Sequence, residues 1–130
     1  MRACLVLSFA GLIAADAALA EPDAMARRPA AELLAACRAV PAGGPEATRC
    51  LAFVEGFLWG HGWAAWRTSR DMYFCPPGEE GAVAARDMIP AVVAYLEAHP
   101  DKLDQPAHLM LFSALSSAYP CSPADPAAGR

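Results

Sequence analysis

Few side chains in this 130-residue sequence could do chemistry, and their neighbours decide what each could do. His61 lies between Gly60 and Gly62 and beside Trp59 and Trp63, where an imidazole could ligate a metal or accept a proton. The same surroundings suit a histidine that simply packs or caps. His99 precedes Pro100 at the end of a helical pattern, where an imidazole interacts well with terminal carbonyls and the helix dipole. His108 falls within an apolar helical run. Asp87, Glu97, Asp101 and Asp104 show no spacing that would hold two carboxylates together on a buried face, and read as a solvated helix surface. No H-E-x-x-H, G-x-S-x-G or phosphate-binding glycine loop occurs, and G-x-x-x-G at Gly56 to Gly60 is a packing motif. No catalytic residue, metal ligand or cofactor is therefore expected.

The cysteines carry more information. Arg2, the apolar run from Leu5 to Ala15 and the small-x-small triplet Ala18-Leu19-Ala20 ahead of Glu21 have the form of a cleaved secretory signal over residues 1–20. Asp16 breaks the run, which is shorter than the roughly 20 apolar residues of a membrane span. Cys4 precedes the run, so it is not placed for lipidation. Removing the signal leaves Cys37, Cys50, Cys75 and Cys121 in an oxidising compartment, an even number that points to two disulfides. Zinc sites bring cysteines in close pairs, which these four are not. Three pairings are open. Cys37 near the end of one helix and Cys50 near the start of the next favour a clipped αα-hairpin, which leaves Cys75 for Cys121.

The elements that must position these residues are helical. Alanine is abundant, β-branched residues are few, and no apolar–polar alternation lasts long enough for a strand. Residues 21–28 lack periodicity and read as a flexible lead-in. A first helix starts near Pro29 and presents Leu33, Leu34, Cys37 and Val40 on one face; P-A-G-G-P at 41–45 stops it. The second covers about Glu46 to Ser69, with Cys50, Phe53, Val54, Phe57 and Leu58 at helical spacing. Gly56, Gly60 and Gly62 inside it call for either close approach by another helix or a weak point. The third helix runs to His99 with Met88, Val92, Tyr95, Leu96 and His99 recurring at helical spacing on one face, and Pro90 implies a kink or a start near Asp87. The fourth spans Gln105 to Ala118 with Leu111, Leu115 and Ala118 facing one way and His108, Phe112 and Tyr119 close beside them, and its short link to the third makes the two antiparallel neighbours. The fold expected is all-α, a small disulfide-bonded bundle of four to five helices over residues 29–121 with a flexible tail at 122–130.

The net charge is −4 and no basic run occurs, which excludes nucleic acid as a partner. The unusual zone is aromatic: Trp59, Trp63, Trp66, Tyr73 and Phe74, mixed with Arg67 and Arg70. The tryptophans are four and then three apart, so they share a helical face, which is either core or a binding surface.

Together these motifs resemble a known family. C-x-x-F-V-x-G at Cys50, Phe53, Val54 and Gly56, the Cys75-Pro76-Pro77 turn, V-V-x-Y-L-x-x-H-P from Val92 to Pro100, and A-L-x-x-A-Y-P-C from Ala114 to Cys121 are similar to the Rap/Tai family of type VI secretion amidase immunity proteins. Leu58-Trp59-Gly60 departs from the family pattern, which carries an acidic or amide residue there, and Pro90 is a second departure. The resemblance implies a small helical periplasmic or secreted protein with no enzymatic activity. It also implies a protein partner, a peptidoglycan amidase effector whose cleft it occludes; a homodimer is left open, and the form of the signal predicts no stable membrane insertion after its cleavage. The contact residues expected are Trp59, His61, Trp63, Trp66, Arg67, Arg70 and Tyr73, with Lys102 in the 101–106 loop. Rival readings are an acid-stress periplasmic chaperone and a small enzyme or metal carrier using His61.

Overall fold

The computed structural model describes residues 24–68, 72–76 and 84–121. The signal segment, the C-terminal tail and Arg70 lie outside the described residues. Five α-helices follow in order, α1 Ala24–Arg27, α2 Ala30–Arg38, α3 Gly44–Thr68, α4 Ala85–Ala98 and α5 Ala107–Ala118, with a 3₁₀ turn at Pro100–Lys102 between the last two. Among the described residues there is no strand, only an isolated bridge between Pro29 and Pro106. The fold is the all-α, disulfide-bonded bundle expected.

That bridge explains how two helices start without a Ser, Thr, Asp or Asn cap. Pro29 and Pro106 are the N-caps of α2 and α5, both with extended backbone and neither with a side-chain cap bond. The amides that open α2 are satisfied across the bundle instead: Ala30 N–H donates to the Gln105 carbonyl at 2.8 Å and Ala31 N–H to that of Leu103 at 2.9 Å. In return Ala107 N–H of α5 donates to the Arg28 carbonyl at 2.8 Å. A helix start leaves amides without intrahelical partners, and here each start uses the other's lead-in. Residues 21–28, expected as a lead-in without structure, include the α1 turn. Met25 in it is buried, and His108 Nδ1 donates to the Ala26 carbonyl at 2.7 Å. Four residues are too few to show periodicity in sequence, so this turn was invisible there.

The faces read from the sequence form the core. Leu33, Leu34, Cys37 and Val40 from α2 and its exit, Cys50 and Val54 from α3, Met88, Val92 and Leu96 from α4, and Leu111 and Leu115 from α5 are all buried. Each such aliphatic side chain contributes about 1.5–3 kcal/mol relative to exposure. Phe53, Phe57, Leu58 and Tyr95 pack at the edge of the core, whereas Ala118, expected inside, is exposed. Cys37 bonds Cys50 and Cys75 bonds Cys121, the favoured pairing. Under the chain-entropy account the first restricts the unfolded chain by about 3 kcal/mol and the second, closing a longer loop, by about 4 kcal/mol.

Helix α2 ends in a turn that requires glycine, since Gly43 and Gly44 have φ of 78° and 90°. Helix α4 begins at Ala85, two residues before Asp87, and runs through Pro90. Pro90 is exposed, so the carbonyl that loses its helical donor there can be solvated. Helix α3 is continuous over all 25 residues. The helix is unbroken at its glycines, and among the described residues no other helix approaches them closely: a Cβ at Gly56, Gly60 or Gly62 would meet nothing within 4 Å.

Gly56→Ala and Gly60→Ala should each raise stability by about 1 kcal/mol, because alanine removes backbone entropy from the unfolded chain and has space in the fold. Gly43→Ala should lower it by about 1–2 kcal/mol, because its φ of 78° is strained for alanine. Urea unfolding of the three variants checks both signs, and destabilisation at Gly56 would show that the α3 surface is covered.

Candidate functional site: an exposed aromatic end

The fully buried residues of helix α3 all lie in its first half, and its second half packs through the part-buried Phe57, Leu58 and His61. Its buried residues are Ala47, Cys50 and Val54, and the segment from Glu55 to Thr68 contributes none. Disulfide Cys37–Cys50, with Cα atoms 5.1 Å apart, fixes the start against α2, and the rest extends along the bundle with its outer face in solvent. On that face Trp59, Trp63 and Trp66 are 71%, 64% and 68% exposed. The choice left open by the sequence is thereby decided within this chain: the tryptophan stripe is surface. Trp63 and Trp66 lean on each other with ring centroids 4.9 Å apart, which fixes their orientation at little entropic cost. Arg67, also exposed, stands in the last turn of α3.

The second component is the segment 72–76. In it Tyr73 is 66% exposed, while Phe74 is fully buried and Cys75 is buried beside it. Phe74, grouped with the surface aromatics by the sequence, is therefore a wedge. Its ring stacks on His61 at 4.1 Å and lies 6.4 Å from Phe57 of α3 and 6.3 Å from Phe112 of α5. Tyr73 meets Phe112 edge-on at 5.6 Å. Behind the wedge, Cys75 N–H donates to the Tyr119 carbonyl at 2.8 Å and Cys75 is bonded to Cys121. Phe112 and Phe57 were not singled out from sequence as parts of this zone. The signal was weak, because a phenylalanine on an amphipathic helix reads as ordinary core.

His61 belongs to the inner side. It lies two residues from both Trp59 and Trp63, about 200° around the helix from each. Its ring is half-buried, and Nε2 is enclosed without a hydrogen-bond partner among the described residues. Burial pushes its pKa below the ordinary 6.5. No group of three His, Cys, Asp or Glu among the described residues is placed to hold a metal ion. His99 Nδ1 donates to the Tyr95 carbonyl at 2.7 Å and stacks on the Tyr95 ring, a helix-terminal role. Glu97 pairs with Arg38 across α4 and α2 at 2.8 Å on the surface. Lys102 is exposed in the turn ahead of α5, while Tyr73 to Cys75 lie along the middle and far end of that helix. Twelve helical residues span about 18 Å, so Lys102 is not gathered with the aromatics.

A small helical domain closed by two disulfides, with an apolar ridge standing in solvent, has the build of a binding protein. The family model of Rap1a immunity proteins matches residues 29–121, and the chain belongs to that family. No curated protein and no solved structure matches the chain. Among the described residues, no helix is long and apolar enough to cross a membrane.

A pH effect follows from His61. Above its ordinary pKa the ring is neutral in both folded and unfolded chains and does not contribute to the pH dependence. Below 6.5 the unfolded chain takes the proton first, so stability falls as pH drops towards the depressed folded pKa. His61→Phe should flatten the stability profile between about pH 7 and 5 relative to the parent. Urea midpoints across that range check this, and parallel profiles would contradict it.

Proposed function

We propose that this protein is a periplasmic immunity protein that neutralises a peptidoglycan amidase delivered by type VI secretion, occluding the enzyme's cleft with its aromatic end. The observation that carries the reading is the solvent-exposed row Trp59, Trp63 and Trp66 within a chain of the Rap1a immunity family. Immunity proteins act by binding an effector, and tryptophan, tyrosine and arginine are the side chains that supply most of the energy at protein interfaces. Exposing three tryptophans in one stripe is costly for a monomer's solubility, and a partner that covers them offsets that cost.

Several features support this assignment. Two disulfides suit an oxidising compartment, and residues 1–20 have the form of an export signal. The three glycines of α3 face open space, which lowers the helix surface between the tryptophans and admits close approach from outside. In this reading Trp59, Trp63, Trp66, Tyr73, Arg67 and Arg70 contact the effector. His61 stands behind them and holds the ridge through Phe74. Lys102 belongs to a second patch, reached only by a partner large enough to extend along α5.

The test is inhibition of a purified amidase effector that the wild-type chain neutralises. Trp59→Ala and Trp63→Ala together should weaken inhibition by at least about 100-fold, while Lys102→Ala costs about tenfold or less. Both tryptophans are exposed, so circular dichroism should be unchanged. Full inhibition by the double variant would place the contact surface elsewhere.

A further inference from the structure

The two disulfides differ in what surrounds them. Cys37 and Cys50 are 1% and 0% exposed and sit inside the core cluster with α2, α4 and α5 residues. Cys75 is 9% exposed and its partner Cys121 is part-exposed. They also differ in what they hold. Cys37–Cys50 joins two helices whose buried faces already pack. Cys75–Cys121 joins the chain just after α5 to the short segment 72–76; among the described residues the other backbone contacts there are the Cys75 N–H bond to the Tyr119 carbonyl and the Met72 carbonyl 3.3 Å from Cys121 Sγ. Phe74 is the segment's contribution to the core cluster; the cluster's other buried members come from the helices and from Val40.

We propose that Cys75–Cys121 is a reducible clasp on the aromatic end, opened by a dithiol while Cys37–Cys50 stays closed and the bundle stays folded. Exchange needs a thiolate to reach a disulfide sulfur along the bond axis, and Cys121 is part-exposed where both cysteines of the core pair are buried. The dithiol's sulfur bonds Cys121 and expels Cys75 as a thiolate; its second sulfur then displaces Cys121. Two electrons and two protons pass to the cysteines, and the dithiol leaves as its own disulfide. Without the bond, the ties left to residues 72–76 among the described residues are non-covalent: the Phe74 wedge, the Tyr73–Phe112 edge contact, the Cys75 N–H bond to Tyr119 and the Cys121 sulfur beside the Met72 carbonyl. Tyr73 and Phe74 then leave α3, and the outer half of that helix, with no buried residue of its own, frays. Reduction thus dismantles the ridge without unfolding the domain. That this also ends effector binding rests on the reading of the aromatic end as the contact surface; the opening itself does not.

The experiment treats the purified, oxidised protein with dithiothreitol in the absence of denaturant, quenches with an alkylating agent and maps the labelled cysteines. Label should reach Cys75 and Cys121 at least about tenfold faster than Cys37 and Cys50. In parallel, tryptic cleavage after Arg67 should accelerate by about tenfold while helical circular dichroism is retained. Cys75→Ser with Cys121→Ser should fold and reproduce the rapid cleavage without reductant. Labelling of all four cysteines together, cleavage unchanged after opening, or a double variant that fails to fold would each overturn the clasp. Capture of an amidase effector is measured on the same samples: loss on opening supports the link to function. Capture unchanged once cleavage has accelerated overturns that link and leaves the clasp standing.

Discussion

Phe74 reaches full burial by lying against Phe57 and His61 of α3 on one side and Phe112 of α5 on the other, and through it the outer half of α3 is joined to the bundle. An isolated half-helix of that length is marginal in water, and three glycines make it worse. The ring contacts supply what the helix lacks. A buried phenylalanine is worth about 3–5 kcal/mol when truncated, comparable to much of the stability of a small domain. Positioning of the tryptophans therefore depends on one side chain in the segment that follows α3, held in place by a disulfide.

The division of the molecule follows from this. The core half, made of α2, the start of α3, α4 and α5, is stabilised by conventional burial and by two proline-led helix starts that satisfy each other's amides. The aromatic half has little burial and relies on ring stacking and a covalent tie. Regions with few buried contacts open first, and binding surfaces are drawn from such regions because they must remain adaptable and accessible. Among the described residues, the unfilled space beside the α3 glycines and the enclosed, unpaired His61 nitrogen fit a surface shaped by something other than the stability of this chain.

Much of the core was legible in the sequence because its signals are local. Leu33, Leu34, Cys37 and Val40 repeat at helical spacing, and the P-A-G-G-P turn between Cys37 and Cys50 forces a hairpin that brings those two sulfurs together. Other features were hidden because they depend on the third dimension. Phe74 and Tyr73 are neighbours of similar composition, and only the need for Cys75 to reach Cys121 makes one point in and the other out. His61 sits amid the tryptophans in sequence, yet the helix turns it to the opposite side. Lys102 was joined to the aromatic zone on paper, although the length of α5 keeps them apart. Met25 and the α1 turn were missed because one turn of helix has no period to read.

The most direct test is hydrogen–deuterium exchange on the protein alone and bound to an amidase effector that it neutralises. The account predicts that binding slows exchange chiefly over residues 59–74, around the exposed Trp59, Trp63, Trp66 and Tyr73, with little change in α4. Protection concentrated at the 100–106 turn, with the tryptophan stripe exchanging as it does in the free protein, would contradict it.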